Sequence, residues 1–422
     1  MIYPLRPIAG VCLAALLAAP AVSAKTVPVW RDAFQSSPAT YEAPSLEMLR
    51  AVAERMKQTP EALAQAMKPQ PVTGTVRYRI TVSGAGAKLR VRISNEEGGT
   101  PLSLSAASVA LAGDTFAARP GSLRRLTFGG AAGIAIPAGA PALSDPVDLP
   151  VTAGSELLVS LALASALAND RRGGAAFALA PGDQASAETL REEKQITGRP
   201  AVTGVQVSGG RATRVIVAIG DSITDGNRDR LGVLHGWPEQ LARRLAKAGM
   251  TGYTVVNAGL GGNRLLAPGW GEAGLARLDR DALRIDGISH LIVLEGTNDI
   301  GMSGRSMFGT NPELAADDLI AGYRQVIARA HARGVKVILG TLTPLTGSVS
   351  HSSPSKEAIR QAVNRWMRTS REPDAVIDFA RITGDPAGPD TLNQKYDSGD
   401  HLHPNDAGYA AMGDGIDLSL FR

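Results

Sequence analysis

From Thr75 the chain reads TVRYRITVSGAGAKLRVRIS, with Val76, Tyr78, Ile80 and Val82 alternating against Arg77, Arg79 and Thr81. Leu89, Val91 and Ile93 then repeat the pattern against Lys88, Arg90 and Arg92. A period of two marks half-buried strands, and SGAGA between the runs reads as a hairpin connection. Leu157, Val159, Leu161 and Leu163 form another such face, and Gly- and Pro-rich stretches such as FGGAAGIAIPAGAP separate the runs. Residues 25–205 are therefore expected to form a β-sandwich or jelly-roll-like domain. One helical insertion is expected in SLEMLRAVAERMKQTPEALAQAM, capped at Ser45. The arginines beside the first strands suit a solvated sheet face better than a polyanion site.

After a connector at 206–213 the period changes. Nearly continuous apolar runs occur at Val215–Ile219, Tyr253–Val256, Leu291–Leu294, Val335–Leu339 and Ala375–Ile377. Helical stretches separate them, at Pro238–Ala248, Pro312–Arg333, Ser355–Arg368 and Pro404–Gly413. Apolar runs without alternation fit strands buried on both faces, so residues 214–422 are expected to be an α/β domain around a parallel sheet.

Composition then narrows the class. Of 422 residues, 44% are apolar and 20% charged, as in a soluble globular chain, and a net charge of +4 is too mild to imply nucleic acid. The first residues, MIYPLRPIAGVCLAALLAAPAVSAKT, combine Arg6, an apolar stretch from Ile8 to Ala19 and a small-residue site at Val22-Ser23-Ala24. That is the pattern of a secretory leader at 1–24, cleaved after Ala24, and the stretch is too short for a stable membrane anchor. Cys12, the only cysteine, falls inside it, so an exported mature chain would have neither disulfides nor thiolate metal ligands.

The polar stretches at the strand ends carry the chemistry. Ser222 follows the first apolar run in GDSIT, where it could be a nucleophile or simply a helix cap. A nucleophile needs a base and an orienting carboxylate, and Asp400 and His403, three apart in DHLHP, offer both. Pro404 reads as the first residue of the last helix. Asp397 and His401 are competing neighbours; His401 should point away from His403. His235, His290, His331 and His351 lack such a close carboxylate. An oxyanion needs preorganised donors, which the backbone N–H groups of Ser222 and Gly262 and the Asn298 amide could supply, with Gly259 as the alternative glycine. No clustered His and carboxylate signature suggests a metal, and no cofactor is expected.

Taken in order, GDS, NAGLGGN, GTND and DHLHP resemble the four blocks of the SGNH, or GDSL, hydrolase superfamily over residues 214–422. The second Gly of a G-x-S-x-G elbow is absent, since Thr224 stands there. The resemblance implies a flavodoxin-like three-layer sandwich, Ser222 as nucleophile, Asp400 and His403 completing the triad, and Ser222, Gly262 and Asn298 around the oxyanion. The first half, through WRDAFQSSP, RVRISNEEGGTPLSLSAASVAL and LTFGG, resembles the β-domain of exported SGNH enzymes related to arylesterases and acetylxylan esterases.

The expected activity is thus an exported serine esterase acting on an acylated carbohydrate or small ester, acetyl before longer chains. A broad arylesterase or lysophospholipase is the alternative within the superfamily, and a catalytically silent carbohydrate-binding protein is the alternative outside it. Trp270 is the expected substrate contact; Trp30, Trp237 and Trp366 are as readily packed.

Overall fold

A computed structural model describes residues 28–39, 43–46, 49, 50, 53, 54, 57–169, 175–211, 214–305 and 311–422. The leader at 1–24 and its cleavage site lie outside the described residues.

The N-terminal half contributes β1 (Trp30–Gln35), β2 (Gln70–Thr81), β3 (Gly86–Asn95), β4 (Leu102–Leu111), β5 (Arg124–Leu126), β6 (Ile134–Ile136), β7 (Ala140–Leu143), β8 (Val147–Val151), β9 (Glu156–Asn169), β10 (Ala175–Ala180), β11 (Lys194–Gly198) and β12 (Val202–Ser208). They form two antiparallel sheets, one ordered β1-β12-β3-β7 with β8 also on β3, the other β11-β10-β2-β9-β4-β5 with β6 also on β4. The inward residues of both sheets share one core that includes Val76, Tyr78, Leu89, Val91, Val159 and Leu161. This is the expected sandwich.

Four local expectations require correction. SGAGA is not a hairpin: β2 pairs with β9 and β10 while β3 pairs with β12, β7 and β8, so the segment carries the chain between sheets. Alternation identifies the buried face of a strand but not its partner. The connector begins later than expected, because β12 runs to Ser208 and its Val205 and Val207 are core residues. The helical insertion is broken. Leu46, Leu49, Arg50, Ala53 and Glu54 are helical, but a new helix, α1 (Pro60–Met67), starts after Thr59, whose Oγ1 accepts from Ala62 N at 3.2 Å. Pro60 has no N–H to continue an earlier helix. Finally, the arginines do not form a free solvated face. Arg77 is buried, donating to Ser160 Oγ (2.7 Å) and to the carbonyls of Phe116, Ala187 and Glu188. Arg79 pairs with Glu156 and reaches the Gly113 carbonyl, and Arg90 lies 4.5 Å over the Trp30 ring.

The second half contains five parallel strands: β13 (Arg214–Gly220), β14 (Tyr253–Gly259), β15 (Ile288–Leu294), β16 (Lys336–Gly340) and β17 (Ala375–Ile377). Their spatial order is β14-β13-β15-β16-β17, the flavodoxin-like order. The short α2 (Ser222–Asp225) follows β13, and then α3 (Trp237–Lys247) leads back to β14. Next come α4 (Gly274–Leu278), α5 (Thr297–Met302), α6 (Ala316–His331), α7 (Pro354–Thr369), α8 (Phe379–Thr383) and α9 (Asp406–Asp414). Helices α3, α8 and α9 pack together on one face, where Trp237 meets Phe379. The other face carries α4, α6 and α7, where Tyr323 stacks on Trp366. The result is a three-layer α/β sandwich around its own apolar core.

The halves meet along β14. Ser83 Oγ accepts from Val255 N (3.1 Å), Gln35 Nε2 donates to the Asp281 carbonyl (2.7 Å), and Arg277 reaches Ser37 Oγ (3.3 Å). A cavity of about 340 Å³ remains between them, edged by Tyr78, Phe34, Glu239 and Val255; Ser222, Asp400 and His403 do not line it.

Candidate active site

The carboxyl ends of β13, β14 and β15 lie side by side, which is where open parallel sheets bind ligands. At the first, Gly220 is packed so closely that a Cβ there would stand 2.1 Å from the Leu294 carbonyl oxygen of β15 and 2.2 Å from Thr224 Oγ1. Asp221 then caps α2, its Oδ1 accepting from Ile223 N at 2.9 Å. The capping role expected as the alternative for Ser222 thus belongs to its neighbour.

Ser222 Oγ instead lies 2.8 Å from His403 Nε2, and His403 Nδ1 lies 2.6 Å from Asp400 Oδ2. The other Asp400 oxygen accepts from the backbone N–H groups of Leu402 and His403. Burial by itself would raise Asp400, but the His403 side chain and these backbone donors outweigh it and hold the carboxyl well below the usual carboxylate range. Burial would likewise lower His403, yet the Asp400 hydrogen bond and charge raise it above the ordinary histidine value. Asp397 and His401 pair with each other at 2.6 Å, which leaves Asp400 to His403. Pro404 is not helical; it bridges to Asp397, and α9 starts at Asp406 after an Asn405 cap. The proline fixes the turn beside His403, while the Asn405 side chain supplies the acceptor that a helix start needs.

The two candidate glycines differ sharply. Gly259 N donates to Asn257 Oδ1 at 2.9 Å, and a Cβ there would stand 2.2 Å from Asp225 N. Gly262 has φ +75°, packs against the Trp270 indole, and its N–H makes no hydrogen bond among the described residues. Asn298 Nδ2 donates to the carbonyl of the next residue, Asn263, at 2.9 Å. Gly262, Asn298 and Trp270 therefore share one corner of the site.

Two residues that sequence reasoning passed over organise this corner. Arg277 is fully buried and donates to the Gly220 and Ala258 carbonyls, to Asn263 Oδ1, and to Asp281 and Glu295. It ties the ends of β13 and β14 to the turn after Gly262. His351 holds Asn298, its Nε2 lying 3.1 Å from Oδ1. Neither carries a spacing signal. Asp299 completes the frame, its carboxylate accepting from Leu265 N and Leu266 N, while burial pushes its pKa up to about 6.

Among the described residues, no group of three or more His, Cys, Asp or Glu is placed to hold a metal, and no helix is long and apolar enough to cross a membrane.

Residues 218–411 match the GDSL-like Lipase/Acylhydrolase family model, a span that contains Ser222, Gly262, Asn298, Asp400 and His403. No curated protein matches the chain. Among solved structures, it is similar to Axe2, an acetylxylan esterase from Geobacillus stearothermophilus (20% identity, 48% of this chain and 92% of that one, TM-score 0.38). It is also similar to a GDSL-like lipase from Bacteroides thetaiotaomicron VPI-5482 (19% identity, 50% and 88%, TM-score 0.35). A third is LAE5, an alpha/beta hydrolase enzyme from the metagenome of Lake Arreo, Spain (19% identity, 50% and 95%, TM-score 0.38). The parallel sheet and the family match make residues 218–411 a GDSL-like lipase/acylhydrolase domain, and the protein a carboxylic ester hydrolase.

Proposed function

We propose that Ser222 is the nucleophile, His403 the general base and acid, and Asp400 the carboxylate that orients it, in an exported esterase that removes short acyl groups, acetyl foremost, from plant polysaccharide or oligosaccharide. The observation that carries the mechanism is the unbroken row from Ser222 Oγ through His403 to Asp400, at 2.8 and 2.6 Å. His403 takes the Ser222 proton as Oγ attacks the ester carbonyl. The resulting oxyanion meets the Ser222 and Gly262 N–H groups and the Asn298 amide. His403 then protonates the departing alcohol, and a water that it activates releases the acid and frees Ser222.

Short acyl groups are supported by Trp270, which walls the Gly262 corner. Each CH₂ that a deeper apolar pocket could bury would contribute about 0.8 kcal/mol, so chain-length preference measures that wall directly. Export rests on the leader pattern at 1–24; the N-terminus of the secreted protein should be Lys25.

A serine-directed phosphonate tests the mechanism. It should label Ser222 rapidly, and Ser222→Ala should lose both labelling and turnover. A variant retaining wild-type activity would overturn the assignment, and an unlabelled wild type would point to a catalytically silent binding protein. For the substrate, the mature enzyme is compared on acetylated xylan, acetylated pectic polymers, aryl esters of increasing chain length and lysophospholipids. Highest kcat/KM on long acyl chains with no acetate released from polysaccharide would sink the carbohydrate reading and leave the serine mechanism standing.

A further inference from the structure

The segment between β16 and α7 forms a tight loop beside the site. Gly347 N donates to Ser352 Oγ (3.3 Å), Ser352 N to the Ser348 carbonyl (3.0 Å), and Gly347 itself, at φ +98°, packs against the His401 ring. The loop ends on His351, whose ring lies so close to Gly301 that a Cβ there would stand 2.0 Å from Cδ2. One end of the loop thus abuts the triad turn and the other abuts α5, which carries Asn298.

The hydrogen-bond roles here follow from one carbonyl. The Asn263 carbonyl only accepts, so the Asn298 atom 2.9 Å from it is the NH₂ group. Asn298 Oδ1 then faces His351 Nε2 at 3.1 Å and, being an acceptor, requires that Nε2 carry the hydrogen. Neutral His351 must accept at Nδ1, where Ser350 Oγ stands at 2.7 Å as donor. Burial, reinforced by the charges of His403, Lys356 and Arg305, pushes the His351 pKa down to about 4, so the ring is neutral across the working range. The chain Ser350 O–H to His351 to Asn298 is satisfied in only one orientation of the amide. One Asn298 hydrogen is spent on Asn263, and the second remains available to a ligand.

We infer that His351 is a positioning residue for ester hydrolysis, locking the Asn298 amide so that its second N–H points at the developing oxyanion. The inference rests on the assignment of Asn298 as an oxyanion donor. Without the His351 donor the amide is held only by its bond to the Asn263 carbonyl, so its plane can swing about that bond and the second N–H is no longer aimed at the oxyanion. The effect belongs to the transition state and so to kcat, while KM for a small ester changes little.

The test measures kcat, KM and thermal denaturation on an aryl acetate for the wild type, His351→Leu, His351→Gln, Asn298→Ala and the Asn298→Ala/His351→Leu double variant. Leu keeps most of the ring's volume without a donor, and Gln can place an N–H near Nε2. His351→Leu should lower kcat by about 10- to 100-fold at nearly constant KM, a part of the loss expected for removing an oxyanion donor outright. His351→Gln should recover most of that loss. In the Asn298→Ala background, His351→Leu should change kcat less than about twofold, because the residue it acts through is gone. Full activity in His351→Leu, or an undiminished further loss in the double variant, would overturn the inference with the Asn298 assignment intact. Wild-type kcat in Asn298→Ala would remove that assignment and the inference with it. A folded His351→Gln variant no better than His351→Leu would also count against the hydrogen bond.

Discussion

Gly262 and Trp270 are packed so closely that a methyl group on the glycine would stand 2.0 Å from the indole Cε3. The glycine's φ of +75° adds a second reason why no side chain belongs there. Gly262→Ala should therefore displace the turn that aims its N–H and lower kcat by about 100-fold, the scale of one lost oxyanion donor. Adding Trp270→Ala opens the space but leaves the backbone strain, so the double variant should stay impaired. Steady-state kinetics on an aryl acetate check both, and a Gly262→Ala enzyme with wild-type kcat would refute the role given to this N–H.

The ionisation of the triad sets the pH dependence. As the proposed base, His403 must be neutral, and against the opposing effect of burial the hydrogen bond and charge of Asp400 hold its pKa above the ordinary histidine value. Activity should rise with pH, and kcat/KM should fall off on the acid side through an apparent pKa above the ordinary histidine value. Asp400→Asn removes the charge that raises His403, so the acid limb should move to lower pH while kcat drops by about 10⁴-fold. An acid limb unmoved in Asp400→Asn would show that another group controls it.

What the sequence made legible follows from how local each signal is. The five parallel strands could be read because apolar runs such as Val215–Ile219 are buried on both faces, and Asp400 and His403 stood out because they are three apart on one turn. Strand partners were not legible: the alternation at Val76–Val82 and Leu89–Ile93 shows which face is buried, but β2 and β3 reach the same core from different sheets. Nor could the arginines be placed. Arg77 looks solvent-facing by period, yet loops carrying Phe116 and Glu188 cover it and offer their carbonyls. His351 carries no local signal, because its partner is an amide 53 residues away rather than a neighbouring carboxylate. Arg277 joins segments that only the folded sheet brings together.

Arg277 is also the strongest stability prediction. Its guanidinium is fully buried between Asp281 and Glu295, which are themselves buried, and it satisfies the Gly220 and Ala258 carbonyls. Arg277→Met would leave two acids and two carbonyls without that partner. Removing one member of a buried ion pair costs about 3–5 kcal/mol. Denaturant unfolding should show a loss of this size, and kcat should fall as well, because Asn263 Oδ1 loses its Arg277 donor beside the Gly262 turn. A loss below about 1 kcal/mol would mean that the network rearranges at little cost.

The sandwich domain should prove necessary to the hydrolase domain rather than an appended module. β14 is the edge strand of the parallel sheet, and an uncovered edge with apolar flanks invites aggregation. In the whole chain β1 lies beside it, Ser83 Oγ accepts from Val255 N, and Ser37 and Gln35 contact Arg277 and Asp281. The segment after β1 continues to Ala39, whose methyl group lies near Gly271, next to Trp270. A fragment comprising residues 214–422 loses all of these contacts at once. It should be poorly soluble or melt well below the full mature chain, and any soluble fraction should show slower phosphonate labelling of Ser222, because the loop behind Trp270 is no longer braced. In the full chain, Gln35→Ala/Ser37→Ala should reproduce part of the kinetic loss with the β14 edge still covered, separating bracing from edge protection. A soluble fragment with the full chain's melting temperature and small-ester kinetics would show that the sandwich neither protects this edge nor shapes the site.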